Sequence, residues 1–346
     1  MKIIIICPVS LETLGGIEKL VRQEAEFFHK SCFDVTVISI SKNIQTKITT
    51  PYKYVKFTNI FNAFKFIKFN IKLQFPEKVH FHDPRGLLFL SLSNLFTKSH
   101  RILSLHGSIF HSSSSLFRKL YFKTLVFYVI NKADEIIEPG FKMYEEAKNL
   151  NNNIKLALPI TKSNSSINLS NRKKLLFLCH GRFSELKGQL KSIETLIQLR
   201  KISKLDIRLI LSGSSEDNDY LNKVLEMTRG LNWISVYPNC KSEILKKFYC
   251  EANFFISNSR YEGFGITQVE AVQNGLYSFI TPYEGSFKIF KNTVSYLKND
   301  PIKDAQNILE ILNLNDDVLV QKKELSLARL KKLEKNSWKE ALNNLI

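Results

Sequence analysis

The chain reads as an α/β protein of two doubly wound, Rossmann-like domains facing across a cleft. Three observations predict this. Short β-branched runs alternate with helix-length stretches. The alternation stops at a Ser- and Asn-rich segment and then begins again. The length, 346 residues, exceeds the usual size of one domain. An apolar share of 44% lets each half bury a core.

Residues 3–8 form a β-branched run and read as a buried parallel strand. Gly15 and Gly16 open a helical stretch over 17–30, and 35–40 is strand again. Further short strands are expected at 79–82, 102–105, 135–138 and 155–158. The segment 161–171, TKSNSSINLSN, reads as the linker. Strands then return at 175–179, 206–211, 233–237, 253–257 and 277–280. Helices are expected between them at 188–200, 219–228, 241–250 and 266–273, with a charged helical tail from 304 onward. These patterns divide the chain into a first domain over 1–165, a second over 172–330 and a terminal helix over 331–346.

Composition narrows the function. The five cysteines are scattered and odd in number, as expected of reduced, mostly buried thiols in a cytosolic protein. No stretch reaches the roughly 20 apolar residues that span a bilayer. The formal charge of +18 points to an anionic partner: a membrane surface, nucleic acid or an acidic ligand. No Cys/His finger or comparable nucleic-acid motif accompanies it, so nucleic acid is not expected. Residues 52–75 interleave lysines with aromatics, with Phe57, Phe61, Phe64 and Ile67 at helical spacing. Such a helix either packs on a core or lies in an anionic membrane surface.

Ligands of doubly wound sheets bind beyond the carboxyl ends of the strands, and the notable motifs fall there. The first is NSRYEGFGITQVEAVQNG, residues 258–275. Glu262 precedes Gly263, Phe264 and Gly265, and Ile266 starts a helix that carries Glu270. Glycines admit a ligand close to the backbone. The free amides of a helix start suit a diphosphate, and carboxylates suit hydroxyl-rich groups. The second is HGRFSELKG, residues 180–188, in which Arg182 and Lys187 straddle a turn before a helix. Two cations there can neutralise a leaving diphosphate without a metal. Gly15-Gly16 lacks the Gly-x-Gly-x-x-Gly spacing of a dinucleotide site. His106 ends a strand, and His80 and His82 share one strand face without further ligands at metal-site spacing. Asp83 and Arg85 follow them and are assigned to the acceptor. Asp217 and Asp219 form an Asp-x-Asp, read as a solvated loop rather than a metal pair.

The string from Glu262 to Ala271, together with Gly181-Arg182 and Lys187-Gly188, resembles glycosyltransferase family 4. The resemblance extends over nearly the whole chain and is strongest over 175–281. It implies the GT-B fold and a retaining glycosyl transfer without a metal cofactor. In that scheme Arg182 and Lys187 hold the diphosphate, Glu262 the donor sugar and Glu270 the ribose. Gly15, Gly16 and His106 complete the site from the other domain. The string 260–267 is similar to mannosyltransferases of polysaccharide and O-antigen assembly, which implies GDP-mannose as donor. The implied acceptor is a saccharide or a polyprenyl-diphosphate-linked one, and the implied place is the inner face of the cytoplasmic membrane. A UDP-sugar donor is the alternative within this fold. A nucleotide-sugar epimerase and a non-enzymatic basic binder of membrane or nucleic acid are the alternatives outside it.

Overall fold

The computed structural model describes residues 1–12, 15–41, 49–71, 76–82, 98–106, 124, 128–160, 175–215 and 218–346, without the side chains of 60, 64, 70, 71 and 142. Asp83, Arg85, Gly107, Asp217 and the expected linker 161–171 lie outside the described residues. The chain divides into two compact units. One comprises Met1–Pro159 and Asn336–Ile346, and the other Ile160–Lys335.

The first unit carries a seven-stranded sheet in the order β3-β2-β1-β4-β5-β6-β7, all pairs parallel. Its strands are β1 (Lys2–Cys7), β2 (Asp34–Ile40), β3 (Lys53–Phe57), β4 (Lys78–Phe81), β5 (His100–Leu103), β6 (Glu135–Glu138) and β7 (Ile154–Leu156). β1 is buried on both faces because its alternate residues feed two separate cores. Ile4 and Ile6 join Val79, Phe81 and Leu103 on one side. Ile3 and Ile5 join Val35, Val37 and Phe28 on the other. Helix α1 (Gly16–Lys30) covers this second face with Leu20, Val21, Ala25 and Phe28, an i, i+3, i+4 stripe. The terminal helix, here α11 (Trp338–Asn343), adds Trp338, Ala341 and Leu342 to the same core. Leu158 and Ser337 form a parallel bridge that fastens it.

β3 corrects the reading of residues 52–75 as one amphipathic run. Phe57 ends that strand, and α2 (Ile60–Ile71) begins only afterwards. Ala63 and Ile67 face the core, while Phe61 and Phe69 are 65% and 77% exposed. Lys65 and Lys68 are exposed beside them. The helical spacing leaves core packing and membrane contact both open, and the structure shows both a buried and an exposed side.

The second unit has six parallel strands in the order β10-β9-β8-β11-β12-β13. They are β8 (Leu175–His180), β9 (Ile207–Gly213), β10 (Ile234–Pro238), β11 (Phe254–Ser257), β12 (Tyr277–Ile280) and β13 (Ser295–Tyr296). Among the described residues the other helices include, in chain order, α3 (Phe141–Lys148), α4 (Gln189–Ser203), α5 (Asn218–Thr228), α6 (Ser242–Glu251), α7 (Ile266–Gln273), α8 (Ser286–Phe290), α9 (Pro301–Leu312) and α10 (Asp316–Leu333). Phe177, Phe254 and Phe279 stack across the middle strands, with Ile193, Leu196 and Ile308 from the helices against them. Capping is strongest late in the chain, where Asp300 accepts from the amides of Ile302 and Lys303 to start α9.

Cys7 and Cys179 are buried, but Cys32 and Cys250 are exposed, so the expectation of mostly buried thiols does not hold. Among the described residues, no helix is long and apolar enough to cross a membrane.

Candidate active site

Strand order reverses once in each sheet, at β1/β4 in the first unit and at β8/β11 in the second. A crevice opens beyond the carboxyl ends of the strands at such a point. In the second unit the loops leaving β8 and β11 are the two motif loops, 181–188 and 258–265.

The turn after β8 is held from within. Buried Gln189, the first residue of α4, donates its amide to the carbonyls of Gly181 and Arg182 at 3.1 and 2.9 Å. That leaves the Arg182 side chain exposed at the turn. Gly188 takes φ +66, and a Cβ there would collide with the backbone carbonyl of Asn258. Only glycine lets the two loops approach this closely. The Arg260 amide donates to the Leu186 carbonyl at 2.8 Å and ties them again.

Lys187 and Glu262 meet where the loops touch. Lys187 Nζ lies 2.8 Å from both carboxylate oxygens of Glu262. Ser259 Oγ donates to Glu262 Oε1 at 2.7 Å, and Ser257 and Ser259 share a hydrogen bond of 3.1 Å. Glu262 is thus buried yet held on both sides. Gly263 is exposed, whereas Phe264 and Gly265 are buried. Gly265 sits at φ +77 as the N-cap of α7 with no side-chain cap. The first amides of α7 therefore have no intrahelical acceptor. Ile266 and Thr267 supply them.

Two buried tyrosines support this loop. Tyr283 donates to the Phe264 carbonyl at 2.7 Å and packs against Gly265. Burial, with Glu262 nearby, raises its hydroxyl well above the ordinary tyrosine range. Tyr249 donates to Glu270 Oε2 at 3.3 Å, and burial with Glu270 nearby raises it likewise. Sequence reasoning passed over Gln189, Ser259, Tyr249 and Tyr283. Their common signal is a polar residue next to a glycine motif or inside an apolar run.

In the first unit the corresponding switch point gathers a buried polar chain. Gly15 is the N-cap of α1, with the Glu18 carboxylate against it. Glu24, fully buried on the apolar stripe of α1, lies 2.6 Å from His80 Nδ1 and 2.8 Å from His82 Nε2. His82 Nδ1 lies 2.7 Å from His106 Nε2. His80 Nε2 lies 2.9 Å from Ser104 Oγ, which donates to the Ile137 carbonyl at 2.7 Å. Trp338 packs on the three imidazoles, with ring centroids 5.9–6.4 Å away. Burial alone would push Glu24 up, but His80 and His82 outweigh it and bring the carboxyl down to about 2. Burial, aided by repulsion from His80, lowers His82 to about 4. Burial also lowers His106, well below the ordinary range. Glu138 is pushed up by burial to about 8 despite the amides of Gly140 and Leu105 that donate to it.

Glu24, His80 and His82 are, among the described residues, the group with ligand atoms close enough to invite an ion. Ligands around a tetrahedral ion with bonds near 2.0 Å stand about 3.3 Å apart. The 2.6 and 2.8 Å separations found are those of hydrogen bonds.

Residues 161–324 match the family model described as glycosyl transferases group 1, so the second unit carries a glycosyltransferase group 1 domain. The chain is 28% identical to the GDP-mannose:cellobiosyl-diphosphopolyprenol alpha-mannosyltransferase of Xanthomonas oryzae over 246 residues, which cover 66% of this chain and 62% of that protein. It is 34% identical to a sucrose synthase of Melioribacter roseus over 89 residues, 25% of this chain and 11% of that one. The chain thus spans less than two thirds of either relative. The glycosyltransferase of Rickettsia africae superposes with a TM-score of 0.74 at 18% identity, over 99% of this chain and 96% of that one. The fold of the two parallel-sheet units matches that of GT-B glycosyltransferase structures.

Proposed function

We propose that the protein transfers a hexose from a nucleoside-diphosphate sugar, with retention of configuration, to a saccharide or a lipid-linked acceptor. The observation that carries this reading is the pairing of Lys187 with Glu262 at 2.8 Å where the β8 and β11 loops meet. A cation and a carboxylate that hold each other can exchange that contact for a diphosphate and a sugar hydroxyl.

Lys187 and Arg182 take up the charge of the diphosphate as the glycosidic C–O bond breaks. The amides at the start of α7 receive the phosphate oxygens. Glu262 accepts from sugar hydroxyls, and Glu270, braced by Tyr249, accepts from the ribose. The acceptor oxygen bonds to the anomeric carbon, and its proton passes to the departing phosphate oxygen. No metal ion is needed for these steps. In the first unit, Gly15, Gly16 and His106 are proposed as further substrate contacts.

GDP-mannose is the proposed donor, supported by the named activity of the Xanthomonas relative. The exposed Phe61, Lys65, Lys68 and Phe69 on α2 are proposed to rest on anionic lipid at the inner face of the cytoplasmic membrane. Calorimetric titration with GDP-mannose, UDP-glucose, UDP-N-acetylglucosamine and ADP-glucose, with a chelator present, tests the donor. Saturable binding of GDP-mannose alone is expected. Preference for a UDP-sugar would replace the donor and keep the class, and binding of none would overturn the reading.

A further inference from the structure

The protonation pattern of the buried chain in the first unit follows from its heavy-atom partners. Ser104 has one hydroxyl proton, and it is donated to the Ile137 carbonyl, which can only accept. Ser104 Oγ is then an acceptor toward His80, so His80 Nε2 carries a proton. The other nitrogen of His80, Nδ1, lies 2.6 Å from Glu24 Oε1 and shares a proton with it. His80 and Glu24 thus form an imidazolium–carboxylate pair, both fully buried. Glu24 Oε2 accepts from His82 Nε2. A second buried cation here would have no counter-charge, so His82 is neutral and its Nδ1 is bare. His106 Nε2 must then donate to it across 2.7 Å. His106 is neutral in turn, which leaves Nδ1 with its lone pair.

We propose that Ser104, His80, Glu24 and His82 are positioning residues that hold His106 as the Nε2–H tautomer, so that its Nδ1 is the hydrogen-bond acceptor offered to a hydroxyl-bearing ligand. Among the described residues Nδ1 of His106 has no hydrogen-bond partner, and the residue is partly exposed. Its backbone is in the left-handed region, φ +54, which is uncommon for a side-chain-bearing residue and found where surroundings over-determine it. The lowered protonation of His82 and His106 has the same sense. Burial pushes the carboxyl of Glu138 up to about 8, while the amides of Leu105 and Gly140 donate to it. The ligand half of the proposal rests on the reading of the protein as a glycosyltransferase. The tautomer half does not.

Long-range proton–nitrogen correlation spectra of the full protein labelled at histidine test it, with His106 assigned from the signals lost in His106→Gln. One Nε2–H pattern for His106 and a doubly protonated pattern for His80 are expected. An Nδ1–H or averaged pattern at His106 would overturn the relay. Glu24→Gln should preserve the His106 pattern, because its carbonyl can still accept from His82 while its amide donates to His80. Glu24→Leu should give a tautomer mixture and cut kcat by about tenfold or more while GDP affinity is unchanged. If Glu24→Leu does not fold, Ser104→Ala is the second variant. It should cost His80 its doubly protonated pattern, and retention of that pattern would contradict the scheme. The expected tautomer combined with unchanged kcat in the mixed-tautomer variant would overturn the acceptor role of Nδ1 and leave the second unit's reading intact.

Discussion

Lys187 Nζ sits equidistant, at 2.8 Å, from the two carboxylate oxygens of Glu262. The side chain of Glu262 is 7% exposed and that of Lys187 25% exposed. Each therefore neutralises the other in a setting where neither is fully hydrated.

This asymmetry separates two substitutions. Glu262→Gln keeps an acceptor for Lys187 and Ser259, so stability should change by less than about 1 kcal/mol. Transfer should still fall by roughly a hundredfold or more, because a carboxylate contact to the donor is lost. Lys187→Met strands a buried carboxylate and should cost about 1–3 kcal/mol after allowing for the partial exposure of the lysine. Urea unfolding and initial-rate assays check both. Equal destabilisation by the two would show that the pair does not carry this role.

Gly188 and Gly230 both have positive φ, +66 and +79, but only Gly188 has atoms in the way of a Cβ. Gly230→Ala should cost about 1 kcal/mol for the left-handed backbone. Gly188→Ala should cost more than that, since the Asn258 carbonyl must move, and should also lower donor affinity. Paired denaturation curves read the difference, and equal costs would mean that the loops tolerate separation.

Tyr249→Phe removes the hydroxyl that meets Glu270 Oε2 at 3.3 Å and the Thr267 carbonyl at 3.5 Å. Nucleoside-diphosphate affinity should drop about fivefold, in line with one hydrogen bond of about 1 kcal/mol. Calorimetry reads this directly; an unchanged Kd would detach Glu270 from the ribose.

The histidine cluster makes stability depend on pH. His82 binds its proton near 4 in the fold against 6.5 in the open chain. Between those values the unfolded chain holds more protons, so stability rises with pH and is lost on acidification, by about 3 kcal/mol in total. Glu24 adds loss of the same sign as pH falls from 4.5 toward 2. Glu138 works oppositely, losing stability as pH rises from 4.5 to about 8. Comparison with His82→Gln isolates the histidine share. The stability advantage of the unsubstituted protein should shrink as pH falls from 6.5 to 4. A pH-independent difference would contradict it.

Much of the fold is legible in the sequence because the strands are buried on both faces and read as continuous apolar runs. The strand at 277–280 and the helix at 266–273 fall where their residues predict. β3 was not legible, since its KYVKF is half-exposed and shares lysines and aromatics with the helix that follows. In the second unit, glycine spacing predicts which loops meet but not that Lys187 turns to Glu262. Glu24 was missed altogether. A carboxylate in the middle of the stripe Leu20, Val21, Ala25, Phe28 is a visible anomaly, but its partners, His80 on β4 and His82 just beyond it, lie far along the chain.

Titration of GDP into the protein with EDTA present, and into the double variant Arg182→Ala, Lys187→Ala, asks most directly whether side-chain cations hold a nucleotide's diphosphate. Binding that survives the chelator and weakens by roughly a hundredfold or more in the double variant is expected. Binding abolished by EDTA and restored by magnesium, or equal affinity in the two proteins, would contradict the account.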